Sequence, residues 1–310
     1  MNCDIKKGYC PFCLEATDQK SFKWEPATHD PDRVDFANLY VDLVRCRQCA
    51  AVFVRRNLSR KLIEKYYSAE TSGSIPANME NFYWWLQNTE MAFKDILRHI
   101  AKEPRGPLLD VGCGRGTLLY LARQQGWAVT GLEINAEMAR FVSQELAVTC
   151  ILGTSDNNDL PKNYYGVITL LDVLEHLYDP VKILRRCREL LRPGGVVIVK
   201  CPYWRMQYLK EQIRYWVGLG SGDIANIGHI NQFSPLSLGL ALRRAGFQLI
   251  GFYPAQNFLP AIRGTSFNLK RTIEYGITEA LNILIKLIFK IFRVNLSFSI
   301  LGLARKPMIE

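Results

Sequence analysis

Three sets of residues in this chain have the types and spacing to do chemistry. Cys10-Pro11-Phe12-Cys13 and Cys46-Arg47-Gln48-Cys49 are two Cys-x-x-Cys pairs. Each spacing lets both thiolates of a pair bind one tetrahedral zinc, and four protein ligands leave no open position, so the expected site is structural. A redox reading would put a single Cys-x-x-Cys on a βαβ unit, with no need of a second copy. The second set is Asp110-Val111-Gly112-Cys113-Gly114-Arg115-Gly116, where an acid ends a short apolar run and three glycines alternate. Such glycines let the main chain approach a ligand closely, beside a helix N-terminus with free N–H groups. The spacing is Gly-x-Gly-x-Gly rather than the pyrophosphate-gripping Gly-x-Gly-x-x-Gly, which suits a ligand without a pyrophosphate. The third set is the imidazoles of His176 and His229. Either is a candidate for moving a proton near neutral pH, and His229 is the better general-base candidate. The competing reading is structural, His176 supporting its turn and His229 capping a helix entry.

The elements that must hold these residues follow from the pattern of apolar positions. Leu43-Val44 and Val52-Phe53-Val54 flank the second cysteine pair as the arms of a hairpin, and Ala50 stands where such knuckles often carry Gly. Leu58 to Tyr67 has helical spacing behind Ser59, and a second helix rich in aromatics, Phe82 to Phe93, precedes the glycine turn. Most of those aromatics read as packing, with Tyr66 and Tyr67 the candidates for facing a ligand. Strands are expected at 108–111, 128–132, 148–152, a run ending at Leu171, and 196–199, with helices at 117–125 and 180–191. The second helix begins at Pro180 and is expected to stop at Pro193-Gly194-Gly195, with Arg185, Arg186, Arg188 and Arg192 mostly outward. Ligands of open α/β sheets sit beyond the carboxyl ends of the strands, so Leu171 and Asp172 should line the cleft.

Four stations in this order resemble the class I S-adenosylmethionine-dependent methyltransferases. They are the Asp110–Gly116 turn, the acid of Gly131-Leu132-Glu133-Ile134, the Asp172-Val173-Leu174-Glu175-His176 turn, and Leu191-Arg192-Pro193-Gly194-Gly195 before an apolar strand. The resemblance implies a Rossmann-like α/β sheet of seven strands, strands six and seven closing it as a hairpin, with a small N-terminal zinc-ribbon module. It implies S-adenosylmethionine as cofactor, held by Asp110, Gly112, Cys113, Gly114 and Gly116, by Glu133 through the ribose hydroxyls, and by Ile134, Thr154, Asp156, Leu171 and Asp172. Asp110 is expected to orient the glycine turn and the methionine end through hydrogen bonds. Thr154 stands where the family commonly has an adenine-binding acid, and Asp156 comes two residues late. Gly166 follows Tyr165 where many members have Asp.

The organisation expected is a zinc module (1–57), a helical segment (58–106) that the resemblance makes a cap, a core (107–256) with an insertion at 202–232 that the resemblance makes a lid, a helical insertion (257–294) and a closing strand (295–310). The lid contains Tyr203, Trp204, Tyr208 and Trp216 before a run with Gly218, Gly220, Gly222 and Gly228. In the helical insertion, Glu279, Asn282, Lys286, Lys290 and Arg293 form one polar stripe on an apolar helix over 280–293. Such a helix suits a membrane interface, a partner subunit or its own domain.

Across the chain, 39 Lys plus Arg against 29 Asp plus Glu give a net charge of +10. This favours an anionic partner. From residue 257 onward there are eight basic and three acidic residues, so half of the excess lies in the tail. The polar start of the chain and its reduced cysteines lead to an expectation of a cytoplasmic protein, peripheral to the inner membrane face if the tail helix binds lipid. Module order resembles bacterial methyltransferases of sugar and surface-polysaccharide biosynthesis. The implied reaction is O-methylation of a sugar or lipid-linked glycan, with sugar C-methylation, RNA methylation and a non-catalytic scaffold as alternatives. No specific nucleic-acid partner is expected, because an Asn/Asp-Pro-Pro-aromatic signature does not follow strand four.

Overall fold

The computed structural model describes residues 10–13, 19–24, 41–54, 76–154, 159–216, 229–255 and 283–308. The expected helix at 58–67 with Tyr66 and Tyr67, Asp156, the glycine-rich half of the lid and the tail from 256 to 282 lie outside the described residues. The main sheet has seven strands: β4 (Pro107–Val111), β5 (Ala128–Glu133), β6 (Cys150–Leu152), β7 (Tyr165–Leu171), β8 (Leu191–Pro202), β10 (Gln248–Ala255) and β11 (Ser299–Arg305). Their order is β10-β11-β8-β7-β4-β5-β6. Strands β4 to β8 run parallel, and β11 enters antiparallel between β8 and β10. This is the expected Rossmann-like sheet of seven strands with its closing hairpin.

Local chemistry accounts for the helices. α1 (Met79–Ile100) starts at Asn78, whose side chain accepts the Asn81 amide at 2.9 Å. It lays Phe82, Phe93, Ile96, Leu97 and Ile100 into the core, and Phe82 packs on Tyr120 and Phe141. α2 (Thr117–Gln124) and α3 (Ala136–Gln144) follow β4 and β5, the second capped by Asn135. α4 (Pro180–Leu190) is capped by Asp179 with Pro180 in its first turn. α5 (Trp204–Trp216) opens the 202–232 insertion, and α6 (Pro235–Arg244) starts in a Ser234–Ser237 capping box.

Two expectations are revised. Helix α4 ends at Leu190, and Pro193-Gly194-Gly195 lie inside the twelve-residue strand β8 rather than in a separating turn. Here β7 and β8 shift register between Tyr165 and Val167, so the glycines serve an irregular pairing. The arginines also do not form one solvated face. A Cβ on Gly166 would meet the Arg192 guanidinium at 3.1 Å, and one on Gly246 would meet Arg188 at 2.8 Å. Two of the four thus fill the space that glycines leave.

The N-terminal sheet has β1 (Gln19–Trp24), β2 (Val41–Cys46), β3 (Val52–Val54) and β9 (Asn231–Gln232), in the order β1-β2-β3-β9. The hairpin arms are as the sequence reading had them, but the fourth strand comes from the 202–232 insertion. Phe12 of the first knuckle stacks edge-on to Phe233 at 5.1 Å, so ribbon and catalytic sheet share one core. Ala50 holds φ +56° in the knuckle turn, a left-handed conformation that costs an L-residue about 1–2 kcal/mol. Ala50→Gly should therefore stabilise the protein by up to about 1 kcal/mol after the extra unfolded-chain entropy is subtracted. A rise in thermal midpoint of a few degrees would show it, and an unchanged or lower midpoint would contradict it.

The last helix, α7, spans 283–292. Ile285 is buried, Phe289 packs on Tyr253, and Lys286 reaches Asp95 of α1 at 2.7 Å. The polar stripe is therefore partly turned inward, because Lys286 has the half-buried Asp95 carboxylate to pair with. Ile283, Leu284, Leu287, Ile291 and Phe292 are left outward, each at least half exposed. Among the described residues no helix is long and apolar enough to cross a membrane.

Candidate functional site

The glycine turn leaves β4 and enters α2 with Gly112, Gly114 and Gly116 all at positive φ. The amides of Gly112 and Cys113 both donate to the Leu132 carbonyl, at 2.7 and 3.1 Å, and Gly114 donates to Glu133 Oε2 at 2.9 Å. Oε1 of Glu133 takes the Asn135 amide at 2.9 Å. Glu133 is buried at the end of β5, and each oxygen keeps a lone pair for a further donor. The close approach is needed at two of the glycines. A Cβ on Gly112 would meet Val173 at 2.7 Å, and one on Gly116 would meet Leu146 at 2.9 Å.

Asp110 does not hydrogen-bond to the glycine turn, as its expected part in orienting that turn would require. Its carboxylate takes the Thr169 hydroxyl at 2.6 Å, across the β4–β7 register, while the turn is oriented by Glu133 and the Leu132 carbonyl. Burial raises the Asp110 carboxyl to about 7, against the Thr169 hydrogen bond, which lowers it. A raised carboxyl stabilises the folded state below its ordinary unfolded range near pH 4, and that contribution is lost as pH rises through 7. Asp110→Asn keeps an acceptor for Thr169 and removes the titration. It should flatten the pH profile and raise the stability of the ligand-free chain at pH 8 by on the order of 3 kcal/mol. Thermal midpoints of both proteins between pH 5 and 8 decide this, and parallel profiles would refute it.

Around the turn, Arg115 stacks on Trp85 of α1 at 3.9 Å, which ties that helix to the loop. The Cys113 thiol faces inward to Cys150 at 3.7 Å, so only its main chain borders the cleft. Ile134 is exposed beyond β5, and Thr154 follows Gly153, whose amide donates to the Glu133 carbonyl. At the end of β7 stand Leu171 and Asp172. Asp172 has φ +55° and is paired with the buried Lys200 of β8. Lys200 was not singled out in the sequence, although a lone Lys in the run Val196-Val197-Ile198-Val199-Lys200-Cys201 is a legible signal.

The structure brings His176 and His229 together. Their ring centroids are 4.9 Å apart, and Nε2 of His176 lies 4.0 Å from Oε1 of Glu175. The Leu174–His176 turn and β9 are joined by Asn231, whose side-chain amide donates to the carbonyls of Leu174 and Leu177 at 3.0 and 2.7 Å. Gln232 holds the His229 carbonyl at 3.0 Å, and Val54 of the ribbon donates to Ile230 at 2.8 Å. The ribbon is therefore part of the scaffold of this site. Burial, with the neighbouring His176, lowers His229 to about 3, so its imidazole is neutral near pH 7. Burial, with Asp172 next to it, holds the Glu175 carboxyl well above the usual range.

Cys10, Cys13, Cys46 and Cys49 are all buried, with ligand atoms within 4.8 Å of one another. Cys10 and Cys49 lie 3.5 Å apart at sulfur, and Cys13 and Cys46 lie 3.8 Å apart. Tetrahedral zinc–thiolate bonds of ~2.3 Å place sulfurs ~3.8 Å apart, so the tetrad fits that ion. The Cys49 amide points at Cys46 Sγ at 3.5 Å, as in metal knuckles. The hydrogen bond from Cys10 draws the Cys49 thiol down to about 6, while the same contact pushes Cys10 up.

Comparison with known proteins places these features. A family described as a methyltransferase domain matches residues 84–251, more than half of the chain. The ubiquinone biosynthesis O-methyltransferase of Proteus mirabilis is 36% identical over 132 residues, 37% of this chain and 53% of that protein. The enzyme of the same name from Pectobacterium atrosepticum is 34% identical over 164 residues, 46% of this chain and 67% of that protein. The chain thus spans about half to two thirds of the length of these relatives. A solved SAM-dependent methyltransferase from Archaeoglobus fulgidus aligns with TM-score 0.48 and 20% identity, over 70% of this chain and 94% of that one.

Proposed function

The chain belongs to the methyltransferase-domain family, and from that premise we propose that it moves a methyl group from S-adenosylmethionine to a hydroxyl oxygen of a sugar or lipid-linked glycan. The observation that carries this is Glu133, fixed by the Gly114 and Asn135 amides beside a glycine turn in which Gly112 and Gly116 leave no room for a Cβ. Asp110, Gly112, Cys113, Gly114 and Gly116 would hold the methionine end, Glu133 the ribose hydroxyls, and Ile134, Thr154, Leu171 and Asp172 the borders of the cleft. S-adenosylmethionine supplies an electrophilic methyl group on a sulfonium. The protein supplies alignment and a proton acceptor for the hydroxyl. His229 and His176 are the groups placed to take that proton. Oxygen as the accepting atom is supported by this imidazole pair and by the relatives, which are named as O-methyltransferases.

The exposed apolar face of α7, with Lys290 and Arg293 exposed on the same segment, supports a lipid-bearing acceptor met at a membrane surface on the cytoplasmic side. The Cys tetrad is assigned a structural zinc. A second reading, an aromatic hydroxyl of a quinone precursor, is favoured by the relatives' names and needs the same surface. Methyl-labelled S-adenosylmethionine with the purified chain and a bacterial extract tests these readings. Label in a glycan or glycolipid fraction supports the first and label in a quinone fraction the second. Label in RNA would overturn both.

A further inference from the structure

Glu175, His176 and His229 come from two segments far apart in the sequence, yet one ligating atom from each lies within 4.8 Å of the other two. An ion bound at ~2.1 Å holds its ligands at most ~4.2 Å apart, so small side-chain rotations would close the set. Glu175 is 1% exposed, and neither of its oxygens makes a well-formed hydrogen bond, its nearby donors being its own backbone amide and the weakly donating Cys201 thiol. A buried carboxylate is ordinarily satisfied by donors or by a cation. The nearby ammonium of Lys200 is engaged by Asp172. The histidine side of the cluster is open, His176 being 23% exposed. Asn231 ties the two segments together through the Leu174 and Leu177 carbonyls, so the fold itself brings the three groups near one another.

We propose that Glu175, His176 and His229 bind one divalent transition-metal cation, with coordination positions left open toward the acceptor cleft. Two imidazoles and one carboxylate suit zinc, manganese, iron(II), cobalt or nickel, whereas the Cys tetrad offers only soft thiolates and no open position. In this arrangement the histidines act as ligands rather than as a free base. An acceptor hydroxyl that takes an open position releases its proton to solvent at a lower pH than it otherwise would. Its oxygen lone pair then forms the new C–O bond as the C–S bond of the sulfonium breaks and S-adenosylhomocysteine leaves. That role rests on the methyltransferase reading. The ion site itself does not.

The test uses the full chain with one zinc equivalent restored to the tetrad, titrated with Mn2+ and read by electron paramagnetic resonance. The expected result is one further ion per chain, with affinity reduced at least about 100-fold in His229→Ala and in the isosteric Glu175→Gln. Thermal melts and S-adenosylmethionine binding confirm that the variants are folded. If the wild type takes up no second ion with Mn2+, Co2+ or Zn2+, or if folded variants bind as the wild type does, the proposal is overturned. Methyl transfer by a chain without a second ion removes the ion's role in the reaction and leaves the proposed function. A second ion on a chain that transfers no methyl supports the site and removes the methyltransferase reading.

Discussion

Glu133→Ala should weaken S-adenosylmethionine binding by about 100-fold or more and reduce methyl transfer at least in proportion. The carboxylate accepts the Gly114 and Asn135 amides, both at 2.9 Å, in a buried position. Each charge-assisted bond contributes about 1.5–3 kcal/mol, so losing both releases the glycine turn before any contact with ribose is counted. Glu133→Gln should fall between alanine and the wild type. Its amide NH2 must face one of two backbone N–H groups, which leaves one donor unmatched. Calorimetric titration of the ligand into folded variants gives the answer. An alanine variant that binds as tightly as the wild type would show that Glu133 does not touch the ligand and that the turn holds itself.

The second large effect concerns the ribbon. Stripping metal from the Cys tetrad, or making Cys46→Ser, should abolish methyl transfer while S-adenosylmethionine binding survives. A structural zinc contributes about 10–16 kcal/mol of apparent binding energy in zinc-finger peptides, and here it would fix both knuckles at one point. The consequence for chemistry comes through β9. That strand pairs with β3, its neighbour Ile230 accepts the Val54 amide, and Phe12 packs on Phe233. His229 would lose its anchor, and a misplacement of about 1 Å is enough to cost about 100-fold in rate. The hydrogen bonds that shape the glycine turn and hold Glu133 are made within 110–135, with none to the ribbon. Activity and ligand affinity should therefore separate on chelation, and both should return with added zinc. Equal loss of both would mean that the whole chain unfolds with the ribbon, and retention of activity would mean that the tetrad is not a folding element.

The sequence by itself determined the parts whose causes are local. The Cys-x-x-Cys spacings, the alternate glycines after Leu108-Leu109-Asp110, the apolar strands and the caps at Asn78, Asn135, Asp179 and Ser234 are set by neighbours a few residues away. Hence the sheet, its closing hairpin and the place of Glu133 at the end of β5 could be read before any coordinates. The tertiary structure alone decided what depends on distant chain segments. Asp110 faces Thr169 because β4 and β7 are register partners. Arg188 and Arg192 turn inward because Gly246 and Gly166 leave room for them. Lys286 turns inward because Asp95 awaits it. Above all, β9 joins the ribbon, so that Glu175, His176 and His229 meet at one point. No periodicity or spacing encodes that meeting, because it follows from which surfaces two separate sheets bury against each other.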